Sequence, residues 1–261
     1  MSLNIVVCVK QVPDTAVERT LREGAGTLDR ASVDGLINEL DEYAIEEGLK
    51  IAEAHGGEVT ILSVGPEKAA ESIRKALSMG ADKAVHVSDE AIAGSDALGT
   101  SLVLAEALKA TGFDLVILGS ESTDARTGVV PAMLAERLGV PQLTLASRVD
   151  IDGQSVTVRR MTDEGYATVS GQLPAVVSVV EKINEPRYPS FKGIMAAKKK
   201  PVQTLALADL GVEAARVGLA GAATAVADFA RRPPRAAGEI VADDGDGGAK
   251  AAGFLAGRKF I

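Results

Sequence analysis

Tryptophan is absent from this 261-residue chain, and aromatic residues together make up only 3% of it. Val, Ile, Leu and Ala must therefore fill the core, which suits short strands and helices packed in layers. With a single cysteine, Cys8, no disulfide framework is possible, and a reducing compartment is expected. Positive charge is in deficit as well. The formal net charge of −8 offers no basic face to nucleic acid phosphates. The start, Met1-Ser2-Leu3-Asn4, runs into a strand-like segment without the basic, apolar and cleavage regions of a signal peptide, and no apolar run is long enough to span a bilayer. Cytoplasmic residence is the expectation.

Familiar catalytic and nucleotide signatures are missing too. No Gly-x-Gly-x-x-Gly follows a strand, and there is no Gly-x-x-x-x-Gly-Lys-Ser/Thr, so neither the usual dinucleotide fingerprint nor a phosphate-cleaving P-loop is present. His55 and His86 have no ligand-spaced partners, so no metal site is expected. Cys8 falls within the first apolar run and reads as a buried, inert thiol. No Ser, His and acid assemble into a nucleophilic site, and no catalytic residue is assigned.

What is present is an alternation of elements. The apolar runs Ile5 to Val9, Val59 to Val64, Ala84 to Val87 and Leu115 to Leu118 are each short enough to be strands buried on both faces. Between them, Ile45, Leu49 and Ala52, then Ala69, Ile73, Ala76 and Leu77, then Leu98, Leu102 and Ala105 form helical stripes. Gly80 and Gly112 stand where helix C-caps belong. This pattern predicts an α/β fold: a Rossmann-like, mostly parallel sheet with helices on both faces. After a helix over 129–138, four β-rich runs between residues 142 and 181, broken at Asp152-Gly153 and Asp163-Glu164-Gly165, predict an antiparallel extension. From about residue 205 the chain turns Ala- and Gly-rich, with little apolar surface to bury. The expected division is a nucleotide-binding domain over 1–204 and a C-terminal arm over 205–261, lying on a partner.

The richest candidate site is the stretch from Asp114 to Gly128. It leads from a strand end through Gly119, Ser120, Glu121, Ser122, Thr123, Asp124 and Thr127 to a helix start. In open parallel sheets ligands bind beyond the carboxyl ends of strands, and helix N-termini offer free N–H groups to phosphate. An AMP-like phosphate suits that place, although Ser122, Thr123, Asp124 and Thr127 are equally the residues that would merely cap the helix. Other walls are Cys8 with Val9 leading into Lys10-Gln11-Val12-Pro13, the Ser63-Val64-Gly65-Pro66 turn, and Asn38-Glu39-Leu40-Asp41 before a helix.

Several motifs resemble the small (beta) subunit of electron transfer flavoproteins. They are Val-Cys-Val-Lys-Gln-Val-Pro-Asp-Thr near the start, Ala76 to Asp82, Leu173-Pro174-Ala175-Val176-Val177, Asn184-Glu185-Pro186-Arg187-Tyr188-Pro189, Gly193 to Lys200, and Ala208 to Val212. The likeness covers roughly residues 3 to 213. It implies a heterodimer in which a larger subunit holds FAD, while this chain buries an AMP that supports assembly without reacting. By position, the AMP site falls on Cys8, Asn38, Glu39, Leu40, Asp41, Val64, and Gly119 through Asp124 with Thr127. The resemblance further implies electron uptake from dehydrogenases, acyl-CoA dehydrogenases among them, and delivery to an acceptor such as a quinone oxidoreductase. Docking would use the loop Tyr188, Pro189, Ser190, Phe191, Lys192, Gly193, Ile194 and Met195, anchored by Phe191. Pro186 and Pro189 deny that loop a regular helix or central strand, and Lys198 to Lys200 reads as a charge patch or a solvated face. Met161 follows Arg160 where many family members carry a carboxylate, with Asp163 and Glu164 close by. Two alternatives stand beside this reading: a universal-stress-type adenine-nucleotide sensor, and an electron-bifurcating relative with a second FAD in place of AMP.

Overall fold

The computed structural model describes residues 2–238 and 240–261. They fall into two units, one ending at Ala227 and one spanning Asp228–Ile261.

In chain order the first unit contains β1 (Leu3–Cys8), the hairpin strands β2 (Gln11–Pro13) and β3 (Gly35–Ile37), α1 (Glu39–His55), β4 (Gly57–Val64), α2 (Ala70–Met79), β5 (Lys83–Val87), α3 (Ala97–Thr111), β6 (Leu115–Gly119) and α4 (Val130–Leu138). There follow β7 (Gln142–Asp152), β8 (Ser155–Thr162), β9 (Gly165–Gln172), β10 (Ala175–Val179), α5 (Phe191–Ala197), β11 (Val202–Leu205) and α6 (Gly218–Gly221). Nine strands form one sheet in the order β11-β5-β4-β1-β6-β10-β7-β8-β9. Every pairing from β11 through β7 is parallel, and β8 and β9 continue it as antiparallel hairpins.

Alternation along the strands makes the two cores, because successive side chains leave a strand on opposite faces. Ile5 and Val7 of β1 join Ile45 and Leu49 of α1 and Ile73 and Leu77 of α2 on one face. Val6 and Cys8 join Leu102 and Leu108 of α3 and Leu134 of α4 on the other. From β1 the chain builds outward through β4 and β5 on one side, then returns to lay β6 on the other. Strand order therefore reverses between β1 and β6, and the carboxyl ends there are where such sheets form a ligand crevice.

Helix stops follow the expected glycines. Gly80 and Gly112 end α2 and α3 with φ of 145° and 75°. Helix α1 starts earlier than expected, so Glu39, Leu40 and Asp41 form its first turn and do not precede it.

Two expectations need correction. The run from Ala175 is not part of the antiparallel extension, because β10 inserts between β6 and β7 and is parallel to both. Residues beyond 204 do not leave the compact unit. The strand β11 pairs with β5, and Leu207, Val212 and Val217 are buried in the α3 core. Asp96, which caps α3 through Gly99 N–H at 2.9 Å, also accepts from Ala223 and Thr224 N–H, so the chain stays attached through residue 224.

Among the described residues of the second unit there is one helix, α7 (Gly247–Gly257), led in by Asp243, whose Oδ1 accepts from Gly245 and Gly247 N–H. Phe254, Leu255, Phe260 and Ile261 are all exposed on it or just past it.

Candidate functional site

The crevice is tied together by short polar side chains from α1. Asp41, buried in the first turn, accepts from Lys10 N–H at 2.8 Å and Gly119 N–H at 3.3 Å, bridging the ends of β1 and β6. Gly119 must lack a side chain, because a Cβ there would lie 2.6 Å from Asp41 Oδ1 and 2.8 Å from the Leu40 carbonyl carbon. Asn38 occupies the N-cap of α1, yet its side chain makes no capping bond. It spans instead to the turn after β6: Nδ2 donates to Glu121 O at 3.0 Å and Oδ1 accepts from Thr123 N–H at 3.0 Å.

Charge completes the arrangement. The Asp124 carboxylate, with its side chain 1% exposed, receives Lys10 Nζ at 2.8 Å and Arg30 Nη2 at 2.5 Å. Burial alone would raise its pKa; the Lys10 charge and hydrogen bond, then Ser122 and Arg30, outweigh that and hold it well below the usual carboxylate range. For Asp41 the balance goes the other way. Desolvation lifts its carboxyl to about 7 against the N–H bonds it accepts from Lys10 and Gly119. Burial, then the charge of Asp41, push the Cys8 thiol far up, which favours the neutral thiol.

Capping does not account for the hydroxyl-rich turn. The N-cap of α4 is Val129 with no side-chain bond, so none of Ser122, Thr123, Asp124 or Thr127 caps that helix. Thr127 and Gly128 are exposed, Gly128 at φ 64°, immediately before a helix start that bears Pro131 in its first turn. Thr123 Oγ1 is buried and, among the described residues, has no hydrogen-bond partner. A buried hydroxyl without a partner is costly unless something else bonds it. An anionic ligand with adjoining hydrogen-bonding groups fits these features: free helix N–H groups, two cations and an unsatisfied hydroxyl.

The candidate residues are not all gathered equally. Asn38, Asp41 and residues 119–124 are directly connected, while Glu39 is exposed. Cys8 and Val64 line the neighbouring strand ends, on the face packed by α3. Gly65, in the turn read as another wall, has its carbonyl occupied by His86 Nε2 at 3.0 Å and its open side close to Ala69. Lys10 was legible as part of the strand end, but Arg30 was not; it lies 94 residues from Asp124 in an irregular segment with no motif. An open depression of about 340 Å³, lined by Asp14, Val17, Ala31, Ser32, Val33, Asp34 and Lys68, contains none of the expected nucleotide residues. Among the described residues, no group of three His, Cys, Asp or Glu side chains is placed to hold a metal ion.

Comparison with known proteins decides the family. The electron transfer flavoprotein domain model matches residues 25–210. The chain is 53% identical to the electron transfer flavoprotein subunit beta of Mycobacterium tuberculosis (strain ATCC 25618 / H37Rv) over 99% of both chains. The chain belongs to the electron transfer flavoprotein family. It is also 37% identical to the subunit beta of Clostridium acetobutylicum over 92% of both chains. To Protein FixA of Azorhizobium caulinodans it is 38% identical over 86% of this chain and 83% of that one.

The second candidate region of this electron transfer flavoprotein chain lies on the outer side of α1. Arg187 makes paired bonds to Glu46 (Nε–Oε2 2.7 Å, Nη2–Oε1 3.0 Å) and to Glu53 (Nη1–Oε1 2.6 Å, Nη2–Oε2 3.2 Å). Asn184 Nδ2 donates to Tyr43 O and Glu47 Oε2. These bonds fix residues 184–187 and launch the next segment into solvent. Tyr188 is 93% exposed and Phe191 81%, so Phe191 is not local core. The expectation that the two prolines exclude a helix is corrected here: Ser190 Oγ accepts from Gly193 N–H at 3.0 Å and starts α5, which carries Phe191, Lys192, Gly193, Ile194 and Met195. Gly193 permits close packing on α2, where a Cβ would sit 2.4 Å from Ser78 O. The lysine run also resolves: Lys198 and Lys199 are exposed, but Lys200 Nζ donates to Leu77, Gly80 and Ala81 carbonyls and caps α2.

On the antiparallel extension, Arg160 turns to its own sheet, with Nε donating to Thr144 O at 3.0 Å. Arg159 stacks on Tyr166 at 3.7 Å, and Met161 pairs with Tyr166 across the hairpin. Asp163 and Glu164 are exposed at its tip.

Proposed function

We propose that this chain is the small subunit of a two-subunit cytoplasmic flavin electron carrier and performs no bond chemistry itself. A larger subunit holds FAD; this chain supplies a rigid platform, a buried AMP and a docking segment. Dehydrogenases, acyl-CoA dehydrogenases among them, reduce the flavin, and electrons pass on to an acceptor such as a quinone oxidoreductase. The C-terminal segment with α7 lies along the larger subunit, which suits its exposed Phe254, Leu255, Phe260 and Ile261.

One observation carries the nucleotide half of this reading: residues 119–129 lead from a strand end, where strand order reverses, to a helix start that no side chain caps. AMP phosphate lies against those N–H groups, with Thr123 Oγ1 completing its hydrogen bonding and Asn38 and Asp41 holding the walls. Cys8 and Val64 pack beside it on the neighbouring strand ends. The docking half is supported by Phe191, an aromatic anchor raised on a braced segment, as a transient interface requires. The full-length similarity to beta subunits supports the carrier role as a whole.

Purification from the native source tests the proposal. The expected result is a yellow complex with a larger subunit that releases one AMP per heterodimer on denaturation. A colourless homodimer that exchanges ATP would overturn it, and release of a second FAD with no AMP would replace AMP by flavin in the same crevice.

A further inference from the structure

Arg30 reaches the crevice from a segment whose other side-chain tie is at its end, where Lys68 Nζ meets Val33 O at 3.4 Å and Asp34 Oδ1 at 3.9 Å. Residues 14–34 are closed at the stem by Asp14 N–H to Asp34 O at 2.9 Å, and internally by Asp29 N–H to Thr20 O and Arg22 N–H to Thr27 O. Between residues 17 and 32, among the described residues, the Arg30 bond to Asp124 is the one hydrogen bond that leaves this segment. Its guanidinium donates through Nη2 alone, so Nε and Nη1 have no acceptor among the described residues, and the side chain is 45% exposed. Asp124 carries one negative charge and holds two cations, Lys10 and Arg30. One positive charge is left over beside the open start of α4 and the unpartnered Thr123 hydroxyl. A guanidinium fixed by a carboxylate on one edge, with its other donors free, is a planar fork ready for a phosphate.

We propose that Arg30 is a phosphate ligand of the crevice, and that it couples ordering of residues 14–34 to the charge of the bound nucleotide. The inference rests on the nucleotide reading above and adds to it a residue and a consequence. Asp124 positions the guanidinium, Lys10 balances Asp124, and the free donors of Arg30 close over the phosphate from the solvent side. The 14–34 segment then acts as a flap held by the ligand as well as by the ion pair. A nucleoside without phosphate gains nothing from Arg30. A merely structural ion pair would support both ligands alike.

The test uses the purified heterodimer stripped of nucleotide, with Arg30→Met and Arg30→Lys beside the native protein, titrated calorimetrically with AMP and with adenosine. Arg30→Met is expected to weaken AMP about ten-fold or more while leaving adenosine affinity unchanged, with Arg30→Lys intermediate. AMP is also expected to slow proteolysis within residues 14–34 of the native complex, and not of Arg30→Met. Equal losses for AMP and adenosine, or no change in either, would sink the inference and leave the nucleotide reading standing. Failure of the native complex to bind AMP at all would overturn both.

Discussion

The two ends of α1 are tied by charge and hydrogen bonds in different ways. At its N-terminal turn, Asn38 and Asp41 spend their side chains inward on backbone N–H and C=O groups of neighbouring segments, and the groups left open are polar ones on the 119–129 turn. Along its middle and last turns, Glu46 and Glu53 grip Arg187, and what is left open beyond is apolar: Tyr188, Phe191, Ile194 and Met195. In the proposed function, the first arrangement walls the nucleotide site and the second braces the docking patch. One helix thus sets both sites from a single rigid element, so a change at either end can be tested for its effect at the other.

The strongest way to break the first end is Gly119→Ala. The new methyl would press on Asp41 and the Leu40 backbone, and a loss of about 3 kcal/mol is expected from overpacking, read by urea unfolding, with nucleotide content falling as well. At the other end, Arg187→Met strands the buried Glu46 carboxylate. A loss of about 2 kcal/mol is expected, reduced from the fully buried case because the guanidinium is partly solvated. Nucleotide content should persist while electron uptake from the dehydrogenase falls; loss of nucleotide in that variant would show the two ends are not separable.

Asp41→Asn sharpens the contrast through pH. The folded carboxyl titrates near 7 against 3.8 for an ordinary aspartate. The folded state therefore binds the extra proton between those values, so the contribution of this group to stability is full below pH 4, falls as pH rises, and levels off above 7. Asn removes that slope, and the variant should gain about 2–3 kcal/mol relative to the native protein between pH 5 and pH 8. A parallel pair of stability curves would refute the assignment. The smallest effect on stability is expected for Phe191→Ala, within about 0.5 kcal/mol because the ring is exposed. Its consequence is functional: flavin reduction by the dehydrogenase should slow about ten-fold with AMP content intact.

The parallel half of the sheet was legible because strands buried on both faces read as unbroken apolar runs, and Ile5, Val59 and Leu115 begin such runs. The placement of β10 was not. Periodicity shows that Ala175 to Val179 is a strand but not which way its neighbours run. The edge strand β11, Val202 to Leu205, escaped notice because it is short and half polar beside a lysine run and Pro201. Helix α5 was hidden by Pro186 and Pro189, which both lie before its first residue, while Gly193 inside it is there because α2 passes too close for a Cβ. In the crevice, turn residues 119–124 stood out by composition. Arg30 did not, since its meaning comes only from a partner 94 residues away.

The insertion of β10 has a consequence for how the chain is made. Strands β7, β8 and β9 are synthesised before β10, yet β10 supplies the seam that joins them to β6. Until residue 179 has left the ribosome, that hairpin trio has no edge to attach to, and Leu143, Val156 and Val158, all buried in the finished protein, must wait in water. A chain stalled at residue 172 would therefore carry a complete three-stranded ribbon beside an unfinished sheet, and be the most adhesive product of its own translation.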